Sequence, residues 1–105
     1  MKIPKYALPH RINIIPLRGQ GPYGPIYDGL NTKRNVPALI EPRISLLVGA
    51  NGEDIQIRAE AMIHPDYKIR IGDKIQWPET GAEYTVREFT PVYAMGLSHY
   101  EGVLV

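Results

Sequence analysis

The stretch that decides the fold of this chain is ALIEPRISLLVGANGEDIQIRAEAMI, residues 38–63. In its second half apolar and polar residues alternate without a break, and this period of two places the apolar side chains on one face of a strand. The turn at 49–53 contains Asn-Gly, a dipeptide that favours the backbone angles of a hairpin. The stretch therefore predicts one long β-hairpin with strands Ala38–Val48 and Asp54–Ile63.

Both predicted strands carry an apolar face. In the second strand this face consists of Ile55, Ile57, Ala59, Ala61 and Ile63. In the first strand the residues at alternate positions are Ala38, Ile40, Pro42, Ile44, Leu46 and Val48. We expect each set to share one face of its strand, with the intervening residues on the other face.

Length and composition limit the classes of protein that the chain can represent. Its 105 residues are enough for one domain with its own core. The absence of cysteine excludes disulfides, thiolate catalysis and cysteine-based zinc sites. The 12 Lys and Arg against 11 Asp and Glu give no broad basic field for nonspecific nucleic-acid binding. No run approaches the ~20 apolar residues of a membrane span, so we expect a soluble, cytosolic protein without a membrane partner.

The rest of the chain also has the pattern of short strands. Its 10 prolines interrupt helices because proline has no backbone N–H to donate, whereas Tyr, Ile and Val suit pleated surfaces. Further strands are predicted at His10–Ile15, Lys74–Trp77, Tyr84–Thr90 and His99–Val105, and the alternation also resumes at Tyr67, Ile69 and Ile71. A count of about six strands separated by turn signals indicates an all-β domain, either a small antiparallel barrel or a sandwich.

The predicted strand Tyr84–Thr90 contains one break in its alternation. Tyr84 and Val86 share a parity that Phe89 does not. A β-bulge inserts one extra residue into a strand and would return Phe89 to the same face. We therefore predict a bulge near Arg87 and Glu88.

Two segments lie outside the predicted strands. Residues 1–9 contain two prolines and two lysines, and we expect an extended N-terminal arm that either lies on a neighbouring molecule or is disordered. Residues 16–36 are rich in Gly, Pro and Tyr and are predicted to form a long loop after the first strand. Loops of this length are usually functional or disordered, and aromatic side chains are effective interface anchors. The expected subunit-contact residues are Tyr23, Tyr27, Lys33 and Arg34.

No motif in the sequence indicates catalysis. The Gly-rich run at 19–25 lacks the Gly-Lys-Ser/Thr ending and the following helix of a phosphate-binding loop. Ser98 and His99 are adjacent, and neighbours in a strand point to opposite faces, so a Ser–His relay is not expected. The three histidines lie in separate elements without metal-ligand spacing. Glutamates that could meet across strands are Glu41, Glu60 and Glu83. We therefore expect no enzyme activity, no cofactor and no metal.

Binding of single-stranded nucleic acid is the alternative function. Small barrels bind single strands with aromatic side chains set among basic residues on one face. Residues of these types that lie close together are Tyr67, Lys68, Arg70, Lys74, Trp77 and Tyr84. The competing interpretation is that Trp77 and Tyr84 face each other across a hairpin and fill the core.

Three motifs give the chain a resemblance to a known family. They are Ile-Arg-Ile-Gly-Asp-Lys-Ile at 69–75, Tyr-Thr-Val at 84–86 and Gly-Leu-Ser-His-Tyr-Glu at 96–101. They follow a first strand, a long loop, a strand with Glu-Pro and a hairpin. In this order they resemble the head-completion proteins of long-tailed phages, which are also labelled minor capsid or head–tail connector proteins.

The resemblance implies a small β-barrel that forms a dodecameric ring under the portal and its adaptor, seals the DNA-filled head and docks the tail. In stopper-type members the segment between the second and third strands blocks the channel, and here that segment is about Leu46–Ile57. The implied channel-facing tip is Gly49, Ala50, Asn51, Gly52 and Glu53. The implied partners are other copies of the chain, portal, adaptor and tail proteins, with DNA only as the passing or retained genome. The implied location is the host cytoplasm during assembly and then the head–tail joint of the virion.

Overall fold

The computed structural model describes residues 2–48, 52 and 54–105. In these ranges the strands are β1 His10–Ile15, β2 Leu17–Gly21, β3 Gly24–Tyr27, β4 Lys33–Val48, β5 Asp54–Ile63, β6 Lys74–Trp77, β7 Ala82–Tyr93 and β8 Leu97–Leu104. Short 3-10 helices lie at Lys5–Ala7 and Gly29–Asn31. In the described part of the chain, no helix is long and apolar enough to cross a membrane.

Six of the strands close into an antiparallel barrel. Their order around the barrel is β1-β4-β5-β8-β7-β6, and β6 pairs with β1 to complete the circle. Closure pairs both edges of these strands around the barrel and so removes the exposed edges that an open sheet would present. The prediction of an all-β chain with a small antiparallel barrel is confirmed, and the sandwich alternative is excluded.

The β4–β5 hairpin forms one wall of this barrel. The two strands pair from Ala38 opposite Ile63 to Val48 opposite Asp54, which confirms the predicted hairpin. β4 begins earlier than predicted, at Lys33, because its first residues pair with β1 and not with β5. β4 therefore pairs with β1 over Lys33–Ala38 and with β5 from Ala38 onward.

A register shift interrupts β4 between Pro42 and Ser45. An extra residue in one strand changes which side chains point inward beyond that position. Ile44 is consequently 82% exposed, although Ala38 and Ile40 in the same strand are buried. The prediction that Ile44 shares their apolar face is therefore wrong.

The core is filled by side chains from all six barrel strands. Most are aliphatic, and each large one contributes about 1.5–3 kcal/mol on burial. The buried set is Ile12, Ile14, Val36, Ala38, Ile40, Ala59, Ala61, Ile63, Ile69, Ile75, Trp77, Tyr84, Val86, Tyr100 and Leu104. The inward face predicted for the second hairpin strand is thus confirmed at Ala59, Ala61 and Ile63.

The bulge predicted in β7 is also present. The pairing of β7 with β8 shifts between Val86 and Glu88. Beyond the shift Phe89 packs against the core, with its ring edge-on to Tyr100 at a centroid distance of 5.9 Å. The broken alternation in the sequence therefore marked a real feature of the strand.

The predicted loop at 16–36 has regular structure of its own. β2 and β3 form a two-stranded antiparallel sheet separate from the barrel. Its base is closed by a hydrogen bond from the Asp28 amide to the Pro16 carbonyl, 2.8 Å long. The segment is therefore a small second hairpin that extends from the barrel.

The connection 64–73 forms turns and no strand, so the alternation at Tyr67, Ile69 and Ile71 does not describe a strand face. Ile69 is buried, whereas Ile71 is largely exposed. Gly72 has φ +94°, and a Cβ atom there would lie 2.5 Å from the Leu17 side chain. Glycine is therefore favoured here by the backbone angle, and a larger residue would also have to displace the end of the Leu17 side chain.

Candidate functional site

The N-terminal arm lies on the barrel of its own chain. The Ile3 amide donates to the Ser98 carbonyl over 3.0 Å, and the Lys2 ammonium pairs with the Asp66 carboxylate at 2.5 Å. Leu8 is fully buried. In residues 2–9 the arm therefore contacts its own barrel, and whether it also lies on a neighbouring molecule stays a prediction.

His64 is buried between this arm and the end of β5. Its Nδ1 atom accepts a hydrogen bond from the Asp66 amide over 3.2 Å, which requires that nitrogen to be unprotonated. Burial lowers the pKa of His64 below its usual value of 6.5; the Asp66 carboxylate opposes this shift, and Lys5 and Lys2 add to it. The fold therefore favours the neutral imidazole.

The free energy of unfolding should consequently fall as the pH drops below 6.5. In that range the unfolded chain binds a proton at His64 that the folded chain excludes. The contribution of neutral His64 to the free energy of unfolding is therefore complete above pH 6.5 and is lost as the pH falls towards the folded-state pKa. In His64→Asn, whose side-chain oxygen can still accept from the Asp66 amide, this contribution should disappear. Urea unfolding midpoints measured across this pH range provide the comparison.

Asp66→Asn is the matched variant for this pH series. It removes the carboxylate that opposes the shift, so the midpoint should fall more steeply with decreasing pH than in the wild type. A slope that is the same in the wild type and in His64→Asn would contradict the assignment to His64.

The four predicted subunit-contact residues differ in their exposure and in their contacts within the chain. Tyr23 lies at the β2–β3 turn and is fully exposed, and Arg34 is exposed in β4. Tyr27 is half-buried at the base of the small hairpin, where the ammonium of a β6 lysine lies 4.6 Å from its ring centroid. Lys33 donates to the Lys68 carbonyl over 2.6 Å. Tyr27 and Lys33 therefore make contacts within the chain, Tyr23 and Arg34 are exposed, and the role of all four residues in subunit contacts stays a prediction.

The predicted channel-facing tip is described only at Gly52, which has φ +76°. The positions outside the described residues are Gly49, Ala50, Asn51 and Glu53. β8 pairs with β5 only between Ala59 and Ile63, and β1 pairs with β4 only as far as Ala38. The strands that lead to the tip therefore project beyond the closed part of the barrel.

Ser98, His99 and Glu101 form a hydrogen-bonded chain at the start of β8. Ser98 Oγ and His99 Nδ1 are 3.0 Å apart, and His99 Nε2 is 3.3 Å from Glu101 Oε1. The expectation that adjacent strand residues do not meet is wrong here, because the short serine side chain reaches the ring nitrogen nearest the backbone. Ser98 and His99 are both buried, whereas a nucleophilic serine must be open to substrate. The chain of bonds orders this strand end, to which the N-terminal arm also binds.

The aromatic residues of the nucleic-acid alternative do not lie on a surface. Trp77 and Tyr84 are buried in the barrel core, as the competing interpretation requires. Tyr67 packs against the same core, and its ring is edge-on to His64. The structure therefore lacks, at these positions, an exposed platform on which bases could stack.

An acidic groove of about 290 Å³ lies on the outer face of β4, β5, β8 and β7. Its apolar floor is Leu39, Met62 and Val103, and its carboxylates are Glu41, Glu60 and Glu101. Strand register produces this arrangement, since Met62 lies opposite both Leu39 and Glu101. Glu41 lies directly opposite Glu60, which confirms that these two meet. Glu83 is elsewhere, where it accepts a hydrogen bond from Gln76.

A basic groove of about 390 Å³ lies between the β2–β3 hairpin and the connection 64–73. Its cations are Arg18, Lys33, Lys68 and Arg70, and its two acidic residues are Asp28 and Asp73. Asp73 is buried, and its two carboxylate oxygens accept the amides of Leu17 and Arg70, each over 2.9 Å. Asp28 accepts the side-chain amide of Asn31. The cations therefore outnumber the acids, which are already bonded to groups of the same chain.

The sequence predicted neither groove, because each groove is lined by residues from distant parts of the chain. Among the described residues, no three His, Asp or Glu side chains are grouped so that they could hold a metal ion. The alternation marks Met62 and Glu101 as outward-facing, but only the strand register shows that they are neighbours. The sequence therefore indicates which residues face outward, but it does not indicate which strands are neighbours.

The fold defines the chain as a small, closed six-stranded β-barrel with one acidic and one basic outer groove. The same fold is found in a solved structure, that of the phage-like element PBSX protein xkdH from Bacillus subtilis. The two chains have a TM-score of 0.54 and 21% sequence identity, and the match covers 91% of each chain. No protein-family model matches the sequence, and the search of curated proteins gave no match.

Proposed function

We propose that this chain is a non-enzymatic structural protein of a phage or prophage that acts at the joint between head and tail. The observation that carries the proposal is the barrel shared with xkdH, a protein of a phage-like element, over 91% of both chains. The three sequence motifs at 69–75, 84–86 and 96–101 support the same class of protein through its resemblance to head-completion proteins.

The surface of the barrel also supports a role in protein contacts. Several large apolar side chains are exposed, and aromatic residues and methionine are enriched where proteins bind one another. They are Tyr6, Tyr23, Leu30, Ile44, Tyr93 and Met95. These residues lie on the arm, at the β2–β3 turn, in the 3-10 helix Gly29–Asn31, within β4, at the end of β7 and between β7 and β8, so several elements of the chain offer apolar contacts.

In the proposed role, copies of the chain form a ring under the portal, keep the packaged DNA in the head and provide the docking surface for the tail. The β4–β5 hairpin is the element suited to reach into the channel, because its strands continue past the last residues that β1 and β8 pair with. The partners proposed for the ring are the portal or its adaptor on one side and tail proteins on the other.

Particles assembled without this protein should consist of heads that lose their DNA and of tails that remain unattached. Deletion of the gene in the phage or prophage, followed by electron microscopy of induced particles, measures both outcomes. Supplying the intact gene from a plasmid should restore filled heads joined to tails. Sealed, tailed particles in the deletion strain would contradict the proposal.

A further inference from the structure

We propose that copies of this chain associate head to tail, with the acidic groove of one copy on the basic groove of the next. The inference deepens the proposed function, on which its biological setting rests, by naming the two surfaces that meet.

The strand order places the centres of the two grooves at opposite boundaries around the barrel, and β4 contributes to both grooves through Lys33 and Glu41. The acidic groove is centred on the β5–β8 pair, which supplies Glu60, Met62, Glu101 and Val103. The basic groove adjoins β1 and the start of β6, because it includes Leu17 and Asp73. In the circular order β1-β4-β5-β8-β7-β6, the β5–β8 boundary is diametrically opposite the β1–β6 boundary. Complementary but distinct surfaces of one molecule generate a head-to-tail series, which closes into a ring if the rotation between copies permits.

The charges of the two surfaces are complementary. The acidic groove has three carboxylates and no cation in its lining, and the nearby Arg43 pairs with one of them, Glu60, at 3.1 Å. In the basic groove, Lys68 and Arg70 are exposed at the open side. Positive and negative patches that face each other steer association and fix its orientation. The net charge of +1 therefore includes local patches of opposite sign at the two grooves.

The acidic groove also contains an arrangement that the single barrel does not favour. Glu41 and Glu60 lie directly opposite each other in the β4–β5 ladder, and like charges at such positions are destabilising. Arg43 of the same chain already pairs with Glu60 at 3.1 Å, and cations from a second copy would add a partner for Glu41. The half-buried Leu39, Met62 and Val103 beneath them add apolar surface that association would cover.

A charge-swap experiment tests the contact. In one variant Glu41→Lys and Glu101→Lys reverse the acidic groove, and in the other Lys68→Glu and Arg70→Glu reverse the basic groove. The Lys68→Glu and Arg70→Glu changes leave the bonds of the Lys68 carbonyl and the Arg70 amide in place, because these are backbone groups, whereas Glu101→Lys removes the carboxylate that His99 contacts at 3.3 Å. Each variant alone should self-associate at least about 100-fold more weakly than the wild type, since like charges then face each other.

An equimolar mixture of the two variants should regain the association of the wild type, because each reversed surface then meets a complementary one. Sedimentation velocity over a range of protein and salt concentrations measures this, and regained association shows that both variants are folded. The control matched to the acidic-groove variant, Asp54→Lys with Glu79→Lys, makes the same change of charge outside both grooves and should associate like the wild type.

The proposal is overturned if either variant associates like the wild type, if the mixture does not associate, or if the wild type remains monomeric at millimolar concentration. These outcomes are separable from the head–tail role. If rings persist in both variants, the groove contact is contradicted and the head–tail role stands. If the mixture regains association but the deletion strain yields normal particles, the groove contact stands and the head–tail role is contradicted.

Discussion

Replacement of Ile63 by alanine should lower the free energy of unfolding by about 2–5 kcal/mol, the cost of removing a large aliphatic side chain from a packed core. Ile63 is fully buried at the end of β5, where it lies opposite both Ala38 in β4 and Tyr100 in β8. Three strands meet around its side chain, so the surrounding backbone has little freedom to close the cavity. Urea unfolding followed by circular dichroism measures the change.

Ile44→Ala is the matched control for this substitution. Both residues belong to the same hairpin and lose the same atoms, but Ile44 is 82% exposed because of the bulge between Pro42 and Ser45. Its replacement should change the free energy of unfolding by no more than about 0.5 kcal/mol. Similar losses at the two positions would show that the bulge does not turn Ile44 outward.

Replacement of Asp73 by alanine should destabilise the chain by about 2–4 kcal/mol, since two amides lose their acceptor at a buried position. The Asp73 carboxylate holds the amide of Leu17 at the start of β2 and the amide of Arg70 in the connection 64–73. It therefore fixes both sides of the basic groove to the barrel. Hydrogen exchange at these two amides should accelerate far more than exchange in the β5–β8 ladder.

Asp28→Ala provides the control in the same groove. Asp28 bonds the exposed Asn31 side chain, and its own backbone amide, which closes the small hairpin, is unaffected by the substitution. A loss of no more than about 0.5 kcal/mol is expected. If Asp73→Ala were as mild as Asp28→Ala, the carboxylate would not be the element that holds the groove together.

The residues whose orientation the sequence predicted correctly are those that depend only on the alternation within one strand. Alternation located the inward face of β5, and its single interruption in β7 correctly predicted the bulge that turns Phe89 inward. The prediction at Ile44 was wrong because proline and its neighbours introduced a bulge that alternation alone does not reveal. The premise that the Ser98 and His99 side chains point apart was wrong, because the serine hydroxyl is close enough to the backbone to reach the neighbouring ring.

The sequence by itself determined the strand content, the hairpin at 38–63 and most of the inward-facing residues, because the period of two is a property of each strand alone. Only the tertiary structure decided which strands are neighbours, and with that the two charged grooves. Glu60 and Glu101 lie far apart in the chain and line the same groove once β5 pairs with β8. Likewise, Asp73 reaches the Leu17 amide only in the closed barrel. The candidate surfaces therefore depend on long-range register, which no local pattern in the chain specifies.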